Sequence, residues 1–584
     1  MKIALKDGDI ILREMTSDQY NIIKSWNSMK WVKAQQCLQG RASMALLDKL
    51  TVFGKLPPNI EAYRQSLHKT ADLVNAERNA AEPRPFITYP VTKSLFRHQT
   101  RASNMALLTF GYEPSRDDFK DTDQNKGFGL LFEMGCGKTI TAIAIMGSLW
   151  KYGKVKKVLV VAPSSVCGVW PKEMEEMADF PFAAAVMAGD KKKRLAALDS
   201  LARAEKGALQ MAVINYESTW REGIFEALAA WKPDLIVADE SQRIKTHDAS
   251  QSKAMHRLGD AAPYKLILSG TPVQNNAVDI FSQYRFLDSS IFGTSFYAFR
   301  NKYAIMGGFD KHQIVGYREM DDLIQKEHSI AYRVTKSDAL DLPEQTFENR
   351  YIQLSDADRK VYDQLKRDSY AELESGGEVS APTVLTKLLR LQQLTGGFLR
   401  LDDTDAPKQV NHAKLDALME IAGDCVDAGQ KVVVFARFTS EIDLIVSTLR
   451  KAGIAFGVID GRTPTEHKID RVTGEETMSR SEVVEDFQTN PKTTVFLAQI
   501  QTAGLGITLH AASTAVFYSL DFNYANYVQA LARIHRIGQH HPCTYIHLLV
   551  EKSIDSKVMK ALEAKQDLAT SVVDNWRQYF GNDQ

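Results

Sequence analysis

The sequence predicts an α/β protein of two parallel-sheet lobes, with helical insertions between them and a small N-terminal α+β module. Three observations lead there. Short continuous apolar runs bounded by turn residues recur from Phe96 to about residue 285, separated by helical stretches. Runs of that kind suit strands buried on both faces of a parallel sheet. The same pattern returns from about residue 405, after a stretch that is aromatic-rich, then helical, and without strand periodicity. Third, 584 residues make about three to four domains at roughly 150 residues each. The expected divisions are 1–90, an accessory module; 91–285, the first lobe; 286–404, helical protrusions and linker; 405–565, the second lobe; and 566–584, a C-terminal helix or tail.

Residues 1–13 alternate about Asp7-Gly8-Asp9 and read as a hairpin. Residues 17–80 are charged and helix-like, broken at Gly54 and Pro57-Pro58. Glu82-Pro83-Arg84-Pro85 and Pro90 mark a boundary. In the first lobe the apolar runs are 128–132, 158–161, 211–214, 235–237 and 266–268. Most end in a polar tip: Ala162-Pro163-Ser164, Asn215-Tyr216, Asp239-Glu240 and Ser269-Gly270-Thr271. Ligands of open α/β sheets bind beyond the carboxyl ends of the strands, so these tips should line one crevice. Helical patterns at 357–371 and 383–397 follow. The second lobe offers runs at 432–435, 455–459, 494–497, 515–518 and 545–549, with no Gly-Lys-Thr of its own.

Composition is that of an ordinary globular protein. With 72 basic and 72 acidic residues, any nucleic-acid partner must be held by a local basic cleft. The five cysteines form no C-x-x-C pair, which argues against a zinc site and a disulfide framework. The N-terminus has no apolar leader, and no run of about 18 apolar residues suggests a membrane span.

The chemistry centres on Glu133-Met134-Gly135-Cys136-Gly137-Lys138-Thr139, between an apolar strand and the helical run that starts at Ile140. In a strand–turn–helix setting, backbone N–H groups and the helix dipole converge on one anion site. Lys138 then reaches the outer phosphates of a nucleotide and Thr139 can hold Mg²⁺. The usual first glycine of such a loop is replaced by Phe132. About a hundred residues on, Asp239 is placed to bind Mg²⁺ and Glu240 to orient or deprotonate a water. In the second lobe, Arg533 and Arg536 stand three apart, which would put both on one face of a helix. Aimed at a phosphate tail, they would neutralise the charge that develops in phosphoryl transfer.

Together these motifs resemble the Swi/Snf-type ATPases of helicase superfamily two, over roughly residues 90–565. Gln529 to Gln539, ending His535-Arg536-Ile537-Gly538-Gln539, is similar to that family's last motif. Phe96-Arg97-His98-Gln99 resembles its adenine-reading segment, and Glu133 to Thr139 its nucleotide loop. Ala162-Pro163-Ser164 and Ile214-Asn215-Tyr216 resemble its DNA-strand motifs, and 268–275 its coupling motif. Arg333, Lys336, residues 340–343 and residues 388–393 resemble inter-lobe segments, and 503–507 the glycine-rich motif. The resemblance implies RecA-like lobes holding ATP and Mg²⁺. It implies nucleotide contacts from Arg97, Gln99, Met134, Gly135, Cys136, Gly137, Lys138, Thr139, Gly506 and Gln529, with the metal on Thr139 and Asp239. Catalysis would fall to Lys138, Asp239, Glu240, Arg533 and Arg536. DNA phosphates would meet Ser164, Asn215, Tyr216, Arg437, Arg462 and Thr502. Two departures stand out. Gln242 occupies the place of the family's His, which puts its contact with the coupling motif in question, although an amide can bridge as well. Asp521-Phe522-Asn523-Tyr524 lacks the usual Trp-Asn-Pro.

The expected function is an ATP-dependent translocase on double-stranded DNA, contacting phosphates without reading sequence and without separating strands. A strand-separating DNA or RNA helicase and a non-enzymatic DNA scaffold are the alternatives. A monomer is expected, with residues 1–90 as the surface for any protein partner. The expected location is the cytoplasm of a bacterium or phage-infected host, or the nucleus if the source is eukaryotic.

Overall fold

The structure, a computed structural model, describes residues 1–569 except 7, 27, 121–125, 275, 308–312, 340–341, 375–380, 400–406, 465–466, 470–475, 506 and 537. The chain forms two compact units that divide after Ala339.

The first unit begins with a four-stranded antiparallel sheet. Its strands run in the order Lys2–Lys6, Asp9–Arg13, Cys37–Arg41, Lys30–Val32. The hairpin expected at 1–13 forms, with Lys2 opposite Arg13. The strands at 30–32 and 37–41 correct the helical reading of 17–80; they are short and carry no alternation of burial that a sequence pattern could reveal. Helices Ser17–Ser25, Met44–Leu50 and Pro58–Asn79 close over the sheet, and Ile10, Leu12, Ile23, Leu38, Leu47 and Ile60 make a small core.

Behind this module lies a seven-stranded, all-parallel sheet. Its order is Ala331–Val334, Lys126–Phe132, Tyr264–Leu268, Leu235–Asp239, Lys157–Ala162, Leu209–Asn215, Phe182–Val186. The five expected runs all lie in it. The two edge strands were not visible in the sequence. Phe182–Val186 is three-fifths alanine and only half-buried, and Ala331–Val334 is four residues long and carries Arg333.

The second unit holds a six-stranded, all-parallel sheet ordered Gln345–Ile352, Cys543–Val550, Thr514–Phe517, Val432–Ala436, Val495–Gln499, Phe456–Ile459. Again an edge strand is new: Gln345–Ile352 is mostly exposed and polar. Strands therefore occur where 286–400 showed no strand periodicity, including the hairpin of Ala304–Gly307 with Gln313–Tyr317. The expected helices appear as Asp356–Glu374 and Ala381–Thr395. A buried ion pair, Lys414 to Asp555 at 2.8 Å, fastens helix Ala413–Asp427 beside the sheet. No described helix is long and apolar enough to cross a membrane, and the five cysteines are buried and form no disulfide.

Each unit buries a neutral histidine. Burial lowers His256, which meets the Ser282 carbonyl, and His547, which meets Tyr527 and Asn349, to about 4. In the unfolded chain these rings take up protons near pH 6.5, while the folded protein excludes them until about pH 4. Stability is therefore expected to fall as pH drops through 6.5 toward 4, by on the order of 2 kcal/mol per histidine. Urea unfolding of His547→Asn at pH 7 and pH 5 checks this: the pH-dependent loss should shrink in the variant.

Candidate functional site

The nucleotide loop is a tight turn that its neighbours hold in place. Strand Lys126–Phe132 ends at Glu133, and helix Lys138–Lys151 opens directly after Gly137. Gly135 and Gly137 take φ of 91° and 79°, the left-handed region that glycine enters without strain. A side chain at Gly137 is also barred by space, since a Cβ would lie 2.1 Å from Gln99 Nε2. The carbonyl of Cys136 accepts from His98 Nε2 at 2.9 Å and from Gln99 Nε2 at 3.3 Å. On the other flank Glu133 accepts from Arg333 Nη2 at 3.2 Å and from the Lys336 amide at 2.9 Å. Arg333 itself is buried and donates to the carbonyls of Leu131 and Gly270, both at 3.1 Å.

These contacts reassign part of the expected nucleotide set. Gln99 is 3 % exposed; its amide oxygen accepts from the Phe96 amide and its NH₂ from below supports the loop. It shapes the site and has little surface for a base. Arg97 is exposed and bonds the Ala81 carbonyl, while Phe96 is 51 % exposed and stacks on His98. Met134, Gly135, Lys138 and Thr139 are half-exposed at the mouth of the loop, and Cys136 is buried. Lys138 Nζ lies 3.1 Å from the Phe132 carbonyl.

The two carboxylates at the end of strand Leu235–Asp239 have distinct settings. Asp239 is buried, with Trp170 Nε1 donating to it at 3.0 Å. Burial, then the charge of Glu240, pushes its carboxyl up, and Lys138 opposes that shift, which places Lys138 within electrostatic reach. A hard divalent cation would relieve the same strain, and the donor set, a carboxylate and the Thr139 hydroxyl, suits Mg²⁺. The described residues contain no cluster of three or more His, Cys, Asp or Glu, so such an ion would keep phosphate and water as its other ligands. Glu240 sits at φ 51°, ψ 55°, a left-handed conformation that costs a non-glycine residue about 1–3 kcal/mol. Its carboxylate accepts from Gln242 Nε2 at 2.6 Å, and Gln242 Oε1 accepts from Ser269 Oγ at 2.8 Å. The amide therefore makes the bridge to the 268–275 segment that the replacement of His had put in question. Ser241 adds a parallel link through Gln283 to the Pro272 carbonyl.

In the second unit the arginine pair differs from its expected form. Helix Tyr524–Leu531, capped by Asn523, stops before Arg533, so the two arginines share no helix face. The chain turns there: the Arg533 amide bonds the Ala530 carbonyl three residues back, and the Arg533 carbonyl accepts from the Leu509 amide. Both guanidinium groups still converge, each donating to the Ile507 carbonyl at 3.2 Å. Arg533 is 2 % exposed and Arg536 more open. Gln529 is half-buried on the helix. Gly506, Asn275 and Asp341 lie outside the described residues.

The expected DNA contacts divide. Ser164 is exposed beyond strand Lys157–Ala162. Asn215 has its amide held by Arg194 and Glu217. Tyr216 corrects the expectation: it is fully buried, and its hydroxyl donates to the Asp239 carbonyl at 2.8 Å, so it joins the turn to the carboxylate tip and cannot meet a phosphate. In the second unit Arg437 borders a groove with Phe438, Thr439 and Gln499 and is positioned by Gln392. Arg462 is bound by Asp460 and Asp443 at 2.6 and 2.7 Å. Thr502 bonds the Gln499 carbonyl at 2.6 Å. Trp170 and the loop-supporting role of His98 were missed by sequence reasoning; only the tertiary contact reveals them.

The Gln242 bridge yields a prediction. Gln242→Leu leaves a buried serine hydroxyl and a strained glutamate without their shared partner, a loss of about 1–3 kcal/mol. Lower thermal stability, preserved nucleotide binding and slower nucleotide turnover are expected, with Gln242→His restoring turnover.

Comparison with known proteins bears on the whole chain. The SNF2-related domain family matches residues 38–396, and the helicase conserved C-terminal domain family matches 413–538. An uncharacterized ATP-dependent helicase of Mycoplasma genitalium is 26% identical over 76% of this chain and 40% of its own length. The human SWI/SNF-related matrix-associated actin-dependent regulator of chromatin subfamily A member 1 is 25% identical over 77% of this chain and 42% of its own. The Drosophila yakuba DNA repair and recombination protein RAD54-like is 25% identical over 85% and 66%. The chain spans about two-fifths of the length of the first two. Among solved structures, the Sulfolobus solfataricus SWI2/SNF2 ATPase core in complex with dsDNA is 22% identical, covers 85% of this chain and 97% of its own, and has a TM-score of 0.38. With more than half of its residues matched by the first family, the chain belongs to the SNF2-related family.

Proposed function

We propose that this protein is an ATP-dependent translocase on double-stranded DNA, a DNA-stimulated ATPase that remodels DNA or protein–DNA complexes without separating strands. The observation that carries the reading is the carboxylate tip: a buried Asp239 within electrostatic reach of Lys138, beside a Glu240 held in a strained conformation and tied through Gln242 to Ser269. Strain retained at such a point is characteristic of a functional site. Lys138 binds the outer phosphates, and Glu240 orients or deprotonates the attacking water. Thr139 and Asp239 would hold Mg²⁺, which supplies charge neutralisation on the phosphates. Arg536, with the more buried Arg533 beside it, would neutralise charge that develops on the phosphates.

Membership in the family and the names of its relatives support DNA as the partner. The contact set is Ser164, Asn215, Arg437, Thr502 and, once it leaves Asp443, Arg462. Travel without unwinding is supported by the chain between Ile507 and Gln529. It forms the core strand Thr514–Phe517 and the start of helix Tyr524–Leu531, which leaves no length for a protruding wedge hairpin.

Four measurements test this. ATP hydrolysis should rise with duplex DNA. Glu240→Gln should bind ATP without hydrolysing it, whereas Lys138→Ala should lose both. Arg536→Ala should lose most of the stimulated rate and keep DNA binding. Triplex displacement should proceed with ATP while a tailed duplex stays annealed; efficient release of a single strand would favour the helicase alternative.

A further inference from the structure

We infer that the groove between the N-terminal module and the segment 289–303 is a second nucleic-acid site, one that holds the phosphate backbone of duplex DNA away from the motor's own crevice. The inference rests on the DNA-translocase reading and adds a site to it.

The groove encloses about 290 Å³. Five cations line it, Lys30, Arg41 and Lys49 from the module and Lys302 and Lys326 from the lobe, and no carboxylate does. Three of the five cations, Arg41, Lys302 and Lys326, are already paired with carboxylates outside the lining. Asp322 takes Lys302, Lys326 and Tyr303. Asp9 takes Gln39 and, at 3.7 Å, Arg41. Asp288 takes the Ser290 amide. Among the described residues neither Lys30 nor Lys49 forms an ion pair; Lys49 stands over the Trp26 ring at 5.7 Å. Ser28, Ser43, Ser289 and Ser290 add hydroxyl-bearing side chains to the lining. Lysines that project as point charges, with hydroxyl donors between them, are the chemistry of phosphate recognition.

Position separates this groove from the motor's crevice. Strand Lys126–Phe132 starts against Leu287, since a Cβ on Gly127 would lie 2.5 Å from the Leu287 carbonyl, and it ends at the nucleotide loop. The groove lies just beyond Leu287, so it sits at the opening end of the sheet, about 20 Å from the tips that carry the site. DNA held there is gripped at a second point.

The test uses the full chain and a 60-base-pair duplex, with Lys30→Glu/Lys49→Glu and Lys30→Gln/Lys49→Gln as variants. Both lysines are exposed and belong to no part of the motor site. Log affinity against log salt should become shallower by about 2 in the charge-reversed protein, with the neutral variant between, as expected for about two lost phosphate contacts. Thermal stability and DNA-free ATPase should not change. An unaltered slope and affinity in the charge-reversed protein would overturn the inference. So would loss of binding to a polyglutamate peptide with duplex affinity intact, which would assign the groove to an acidic protein segment. Parent protein without DNA-stimulated ATPase would instead refute the motor reading, so the two failures are distinguishable.

Discussion

The candidate site of the first unit depends on the geometry of five residues, 133–137, that cannot hold themselves. Two of them are glycines in the left-handed region, and the loop's own hydrogen bonding is slight: Cys136 N to the Glu133 carbonyl at 3.2 Å. The loop keeps its shape because His98 and Gln99 grip its Cys136 carbonyl while Arg333 and the Lys336 amide grip Glu133. Those grips are themselves anchored. Arg101 donates to Ala80 and Tyr332, Asn104 to Glu77, and the buried Arg78 to the carbonyls of His328 and Ala331. The end of the module's long helix thus braces both flanks of the nucleotide loop.

The second theme is contact between tips. In a parallel sheet each tip could act alone, but here they are wired by buried hydrogen bonds. Tyr216 reaches the Asp239 carbonyl, Trp170 the Asp239 carboxylate, Gln242 spans Glu240 and Ser269, and Arg333 reaches Gly270. Such bonds are strong where water is excluded, and a partly satisfied network is costly. A shift at the turn after strand Leu209–Asn215 is therefore felt at the carboxylate tip. That is a physical basis for communication between the strand tips within one lobe.

The second unit uses a comparable device. Gln392, in the segment 388–393 singled out by resemblance, positions Arg437 and bonds the Leu520 carbonyl. Glu441 is buried, accepts from Ser519 and from the Arg437 and Phe438 amides, and is pushed up to about 7, burial outweighing those hydrogen bonds. Gln539, which ends the arginine motif, is consumed by the carbonyls of His510, Ala512 and Ile534 and the amides of His540 and His541. It fixes the turn that brings Arg533 and Arg536 to one carbonyl.

By itself the sequence determined the two sheets and singled out the candidate site. Continuous apolar runs need burial on both faces, which permits little but a covered parallel sheet, and Gly-Lys-Thr, Asp-Glu and the arginine pair are chemically narrow. It could not show the edge strands at 182–186, 331–334 and 345–352, because an edge needs no full apolar run, and the last two take their hydrogen bonds from neighbours far away in the chain. Nor could it end the helix at Leu531, since the competing bond comes from Leu509. Tyr216 shows the limit most plainly. Beside a polar tip it reads as a DNA contact, yet whether a tyrosine faces solvent or a carbonyl is settled only when strand Leu209–Asn215 and the tip at Asp239 are brought together. Burial and hydrogen-bond partners are properties of the packed chain, and they decided which of the candidate residues face a ligand and which hold the others in place.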